Sequence, residues 1–237
     1  MLKLMPWPLL QTQALTPISR GFRWCRYALC LLVMAGAAPT AVRAADFPDS
    51  GQRLIGHPKQ RFPLTIYIEP ASSTSLNFAV HEAVAQWNDV FEQTLGKRAF
   101  ILTDNKANAD ILIRLARNSR AQLEMGETEI DADKRGIIRL PIEINLSPPH
   151  ARGKTDSRQM LFDVTAHELG HALGLPHINK ANSIMCCEPG AIDFRDPATR
   201  AAYIQARRHP DLHSVAPDLA AYYHKFWNDH DLGLTPD

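Results

Sequence analysis

The stretch Thr165-Ala166-His167-Glu168-Leu169-Gly170-His171-Ala172-Leu173-Gly174-Leu175-Pro176-His177 decides how this chain is read. His167 and His171 stand four residues apart, so on a helix they stack on one face. His177 lies six residues further on, with Gly174 between. Two ligands from one helical turn need a third from another direction, so the helix has to end before His177. Gly174 can end it, because glycine adopts the left-handed conformation of a helix terminus. Three neutral imidazoles suit zinc in a tetrahedral set and leave the fourth position to water, whose pKa zinc lowers toward neutrality. Glu168 is next to His167, so its carboxylate points away from the imidazoles and can reach that water as general base. Two histidines four apart with a glutamate between are common by accident. Gly174 and His177 at the required spacing make the set specific.

The elements around this stretch alternate in type. Residues 62–68 alternate apolar and polar and are rich in β formers, which predicts a first strand. Apolar residues then recur at helical spacing over 75–95: Leu76, Ala79, Val80, Ala83, Val84, Trp87, Val90 and Phe91. Gly96 ends that helix. Short strands follow over 99–103 and 109–115, the second an interior one. Residues 117–135 are polar and read as a charged loop. Residues 137–146 read as one or two strands, with Pro141 marking an edge or a break. Asp156 or Ser157 caps the helix that carries the histidines. Asp196-Pro197 starts a helix over 197–208, and a last helix over 218–229 carries Leu219, Tyr222, Tyr223, Phe226 and Trp227.

Composition bounds the rest. At 237 residues, 45% of them hydrophobic, the chain can build one substantial core. Of its 26 Lys and Arg, five fall in residues 1–44, which hold none of the 25 Asp and Glu. The body is therefore weakly acidic, which gives no reason to expect a nucleic-acid partner. Residues 1–44 resemble an export signal. Lys3, Arg20, Arg23 and Arg26 precede an apolar run over 27–38, and Val42-Arg43-Ala44 offers a cleavage site. That run is shorter than the roughly 20 residues a spanning helix needs, so stable membrane insertion is not expected. The expected location is periplasmic or secreted, with 45–60 as a flexible lead-in and 61–237 as the working domain. Cys25 and Cys30 lie in the signal. The remaining pair, Cys186-Cys187, is adjacent and could be a vicinal disulfide or two thiols. The acids Glu127, Glu129, Asp131 and Asp133 could hold calcium through hard oxygens, although they match no complete calcium loop. His57, His81, His150, His209, His213, His224 and His230 read as surface or turn residues.

The run from His167 to His177 resembles the motif of the metzincin zinc peptidases, and within them the matrixin-like branch. Ser183-Ile184-Met185 is similar to that family's Met-turn, whose methionine lies as an apolar floor beneath the zinc ligands. Residues 109–113 look like its third strand. The resemblance implies an α+β metzincin-like (zincin) catalytic domain. Its upper lobe, about 61–174, would hold a twisted mixed β-sheet and two long helices. Its lower lobe, about 175–237, would be mostly irregular or helical. The resemblance further implies one catalytic Zn2+ on His167, His171 and His177, Glu168 as base, and Gly174 and Met185 in support. A peptide substrate would lie extended in the cleft, paired with an edge strand within about 137–144. A pocket next to the zinc would select the side chain after the cut bond. The chain departs from the family in four places. It shows no cysteine-bearing propeptide motif before the first strand, no histidines in 117–135 for a structural zinc, Cys186-Cys187 directly after Met185, and no tyrosine two residues after Met185; beyond these, the C-terminal 50 residues are longer and more helical than a minimal catalytic domain needs. The function expected is that of a zinc endopeptidase. A specialised zinc amidase or peptidase on a small or modified peptide, and a catalytically idle binding module, are the alternatives.

Overall fold

Leu64 and Ile66 alternate with more exposed neighbours and are fully buried in β1 (Leu64–Ile68), which lies near the middle of a five-stranded sheet. The computed structural model describes residues 53–70, 73–115, 125–147, 156–188 and 190–231, all within one unit, Val42–Asp237. The export signal expected at 1–44, the first part of the lead-in and His150 lie outside the described residues.

The other strands are β2 (Phe100–Leu102), β3 (Ile111–Leu115), β4 (Gly126–Glu129) and β5 (Ile142–Leu146), in the spatial order β2-β1-β3-β5-β4. All neighbours are parallel except β4, which runs antiparallel to β5. The expected mixed sheet is present, and β3 is interior. Between β1 and β2 runs α1 (Thr74–Leu95), which buries Ala79, Val80, Ala83, Val84, Trp87, Val90 and Phe91, one face at helical spacing. That stripe packs on the sheet and on α2 (Ser157–Ala172), where Trp87 Nε1 donates to the Ala166 carbonyl over 2.8 Å. Asp156 caps α2, its carboxylate accepting from the Arg158 N–H. Two further helices follow: α3 (Pro197–Arg208), capped by Asp196, and α4 (Ala216–Asp231).

Two expectations change. The edge strand expected within 137–144 is not an edge: β5 is covered on both sides, by β3 and β4, and among the described residues β4 is the edge strand beside it. Residues 137–138 make only isolated bridges, to Gly56 and Ala132, and Pro141, which lacks an N–H, separates them from β5. The lead-in expected to be flexible is docked from residue 53 on. Gly56 exchanges backbone hydrogen bonds with Gly136 and Ile138 over 2.9 Å each, and His57 is fully buried, not a surface residue. The aromatic stripe of α4 (Tyr222, Tyr223, Phe226, Trp227) packs against Phe62 and Phe91 in the same core as α1.

Candidate active site

The side chains of His167 and His171 rise one turn apart on α2, as their spacing requires. The helix stops at Ala172, and Gly174 follows at φ +90°. A Cβ there would fall 2.3 Å from the Ile55 carbonyl oxygen, so the turn is closed to other residues by both its angle and its crowding. Tyr223 donates to the Leu173 carbonyl over 2.6 Å and fixes the same turn from α4. The chain then brings His177 back over the helix end.

The three imidazoles converge through Nε2. Their Nε2 atoms stand 3.1 Å (His167 to His171), 3.2 Å (His167 to His177) and 3.3 Å (His171 to His177) apart. Zinc–nitrogen bonds of 2.0–2.1 Å at tetrahedral angles place ligand nitrogens about 3.3 Å apart, so the set fits that ion. The tautomers fit as well. His167 Nδ1–H donates to the Ile184 carbonyl and His171 Nδ1–H to the Leu175 carbonyl, each over 2.8 Å, leaving the Nε2 lone pairs free to ligate. Burial, helped by the neighbouring His171, lowers the His167 pKa to about 3, and burial also lowers those of His171 and His177. All three are thus neutral near pH 7. They are the only group of three or more potential metal-ligating side chains brought together among the described residues. The acids once considered for calcium do not converge. The Asp133 carboxylate accepts from the Arg135 and Ile137 N–H groups, and Asp131 pairs with Arg139.

Met185 lies buried under the site, its sulfur against α2 where Gly170 has no side chain; a Cβ at Gly170 would meet that sulfur at 2.3 Å. The Ile184 carbonyl that orients His167 comes from the same turn. The next residues are Cys186, which is buried, and Cys187.

Glu168 is buried, and its carboxylate borders the same cleft as the histidines, a space of about 690 Å³. β4 forms the opposite wall. Thr128 Oγ1 donates to Glu168 Oε2 over 2.6 Å and lies 3.2 Å from the Glu168 carbonyl oxygen. Gly126 leaves room for that carboxylate, since a Cβ there would stand 2.6 Å from Oε1. Neither residue was singled out from the sequence. Gly126-Glu127-Thr128-Glu129 has no apolar residue to mark it as a strand.

The comparisons agree with this geometry. A family model described as matrixin, the M10 peptidases, matches residues 59–191. The chain belongs to the matrixin family. No curated protein matches it. A matrixin with three convergent imidazoles is a zinc metalloendopeptidase, so this one acts on peptides or proteins. The idle binding module is thereby set aside. Matrixins are typically secreted or exported, and no described helix of this one is long and apolar enough to cross a membrane. The matched span ends before α3 and α4, yet α4 holds the Gly174 turn and α3 reaches the cleft through Tyr203 and Arg207.

Proposed function

We propose that this matrixin cuts extended peptides with Glu168 as general base, at a zinc held by His167, His171 and His177. The observation that supports this best is that the buried Glu168 carboxylate and the three Nε2 atoms face one cleft walled by a free strand edge. Zinc, when bound, supplies Lewis acidity, acidifying a water and polarising the scissile carbonyl. Glu168 takes the proton of the attacking water and passes it to the leaving amine. Thr128 holds that carboxylate toward the cleft. Gly174 aims His177, and Met185 underlies the ligands as a rigid apolar floor. The substrate backbone pairs with the outer edge of β4, beyond which no strand lies among the described residues. The basic lead, apolar run and Val42-Arg43-Ala44 support export, with action in the periplasm or outside the cell.

Edge pairing is testable with peptides N-methylated at single backbone amides near the cut bond. Loss of one ladder hydrogen bond lowers kcat/KM by about tenfold at alternate positions, following the two-residue period of a strand. Equal rates for all methylated peptides would contradict pairing with β4.

A further inference from the structure

The cleft that holds the histidines is also lined by an ion pair between α2 and α3. Arg207 Nη1 donates to Asp163 Oδ2 over 3.1 Å, and Nη2 donates to the Cys186 carbonyl over 2.9 Å. The guanidinium lies 5.2 Å from the Tyr203 ring, which holds its plane. Asp163 is only 8% exposed, while the Arg207 side chain keeps 23% of its surface open. An arginine carries five N–H donors, and among the described residues Arg207 uses two, one on each Nη. Its Nε and Asp163 Oδ1 are buried and meet no partner among the described residues. Arg207 also lines the cleft, so the second N–H on each Nη, not the buried Nε, is the donor the pocket can offer, beside apolar neighbours such as Met160 and Val164.

We propose that the Asp163–Arg207 pair makes this pocket select a substrate side chain ending in a carboxamide, Gln or Asn, over a large aliphatic one. This rests on the peptidase reading above. An aliphatic side chain would strip water from the guanidinium and return no hydrogen bond, and a site built to donate rejects such a group strongly. A basic side chain would meet Arg207 charge to charge. A carboxylate gains less than it would at an unpaired arginine, because Asp163 already offsets that charge and Glu127 and Glu168 border the same cleft. A neutral carboxamide supplies the acceptor without added charge.

The test compares the zinc-loaded wild type with the double variant Asp163→Leu/Arg207→Met. Removing both partners avoids stranding one buried charge, which is the change most apt to unfold the site. Substrates are peptides identical except for Gln, Leu, Glu or Lys after the cut bond. The wild type favours Gln over Leu by about tenfold or more in kcat/KM, and the double variant reverses that order. Binding of the corresponding product peptides, beginning with Gln or Leu, to zinc-loaded Glu168→Gln protein gives a readout without turnover and follows the same order. A wild type that favours Leu, or a double variant with an unchanged ratio, overturns the proposal. Preferential binding of the Gln-initial peptide with no cleavage of any substrate by the wild type supports the pocket while overturning the peptidase reading.

Discussion

Thr128 and Gly126 meet the carboxylate of Glu168, the proposed base, from across the cleft. The hydroxyl of Thr128 holds Glu168 Oε2, and the bare Cα of Gly126 makes the space that Oε1 occupies. Positioning of this kind is costly to lose, since small misplacements of a reacting group slow chemistry steeply. Thr128→Ala is expected to lower kcat between about tenfold and a hundredfold, with KM and zinc content little changed. Thr128→Ser should restore most of the rate. A Thr128→Ala enzyme with wild-type kcat would show that the hydroxyl does nothing for the base. At this scale the convergence of His167, His171 and His177 was legible in the sequence, because their spacing is itself the geometry. Thr128 and Gly126 were not legible. Their role depends on a strand meeting a helix some forty residues away in sequence, and no local pattern records that meeting.

At the scale of elements, the helices were readable because their apolar stripes repeat at 3.6 residues and their caps are chemical: Asp156 before α2, Asp196-Pro197 before α3. β4 was missed because an edge strand with one face turned to solvent and glycine and threonine on the other carries no hydrophobic alternation. The segment over 53–57 was missed for a related reason. Its anchoring is polar and long-range: His57 Nε2–H donates to the Ala172 carbonyl over 2.9 Å, Arg61 donates to its Nδ1, and Trp227 donates to the His57 carbonyl. His57 thus caps the end of the metal-bearing helix. Burial pushes its pKa down to about 4, against a hydrogen bond to Ala172 that raises it. The unfolded chain, with its histidine near 6.5, binds the proton first as pH falls. This contribution to stability is therefore complete above pH 6.5 and is lost toward pH 4. Between pH 8 and pH 5 the loss comes to about 2 kcal/mol. Urea unfolding of wild type and His57→Gln should show it. The variant is less stable at pH 8 and its stability falls less steeply with acid. Both proteins keep the same zinc ligands, so the difference in slope belongs to His57; equal slopes would contradict the assignment.

Over the whole molecule, one core joins segments far apart in the sequence. Tyr222 takes the Ile55 N–H and donates to the Ile55 carbonyl, and Tyr223 reaches the Leu173 carbonyl, so α4 ties the N-terminal segment to the turn that aims His177. The order of strands and helices was readable, but which helix closes which core was not, because α4's aromatic stripe fits any apolar surface of sufficient size. Zinc adds a last link between the helix and the chain beyond Gly174. Its removal by a chelator should lower the melting temperature, since saturating metal at about a thousand times Kd stabilises by about 4 kcal/mol, and re-addition should restore it. An unchanged melting temperature would contradict a site formed only in the folded protein. The central claim is hydrolysis at this zinc with Glu168 as base, and it is tested most directly by peptide-library cleavage with zinc content measured in the same samples, wild type beside Glu168→Gln. The account predicts one zinc per chain in both, cleavage by the wild type, and at least a hundredfold slower cleavage by the variant, the scale of a lost general base. A zinc-loaded Glu168→Gln protein that cuts at the wild-type rate would contradict it.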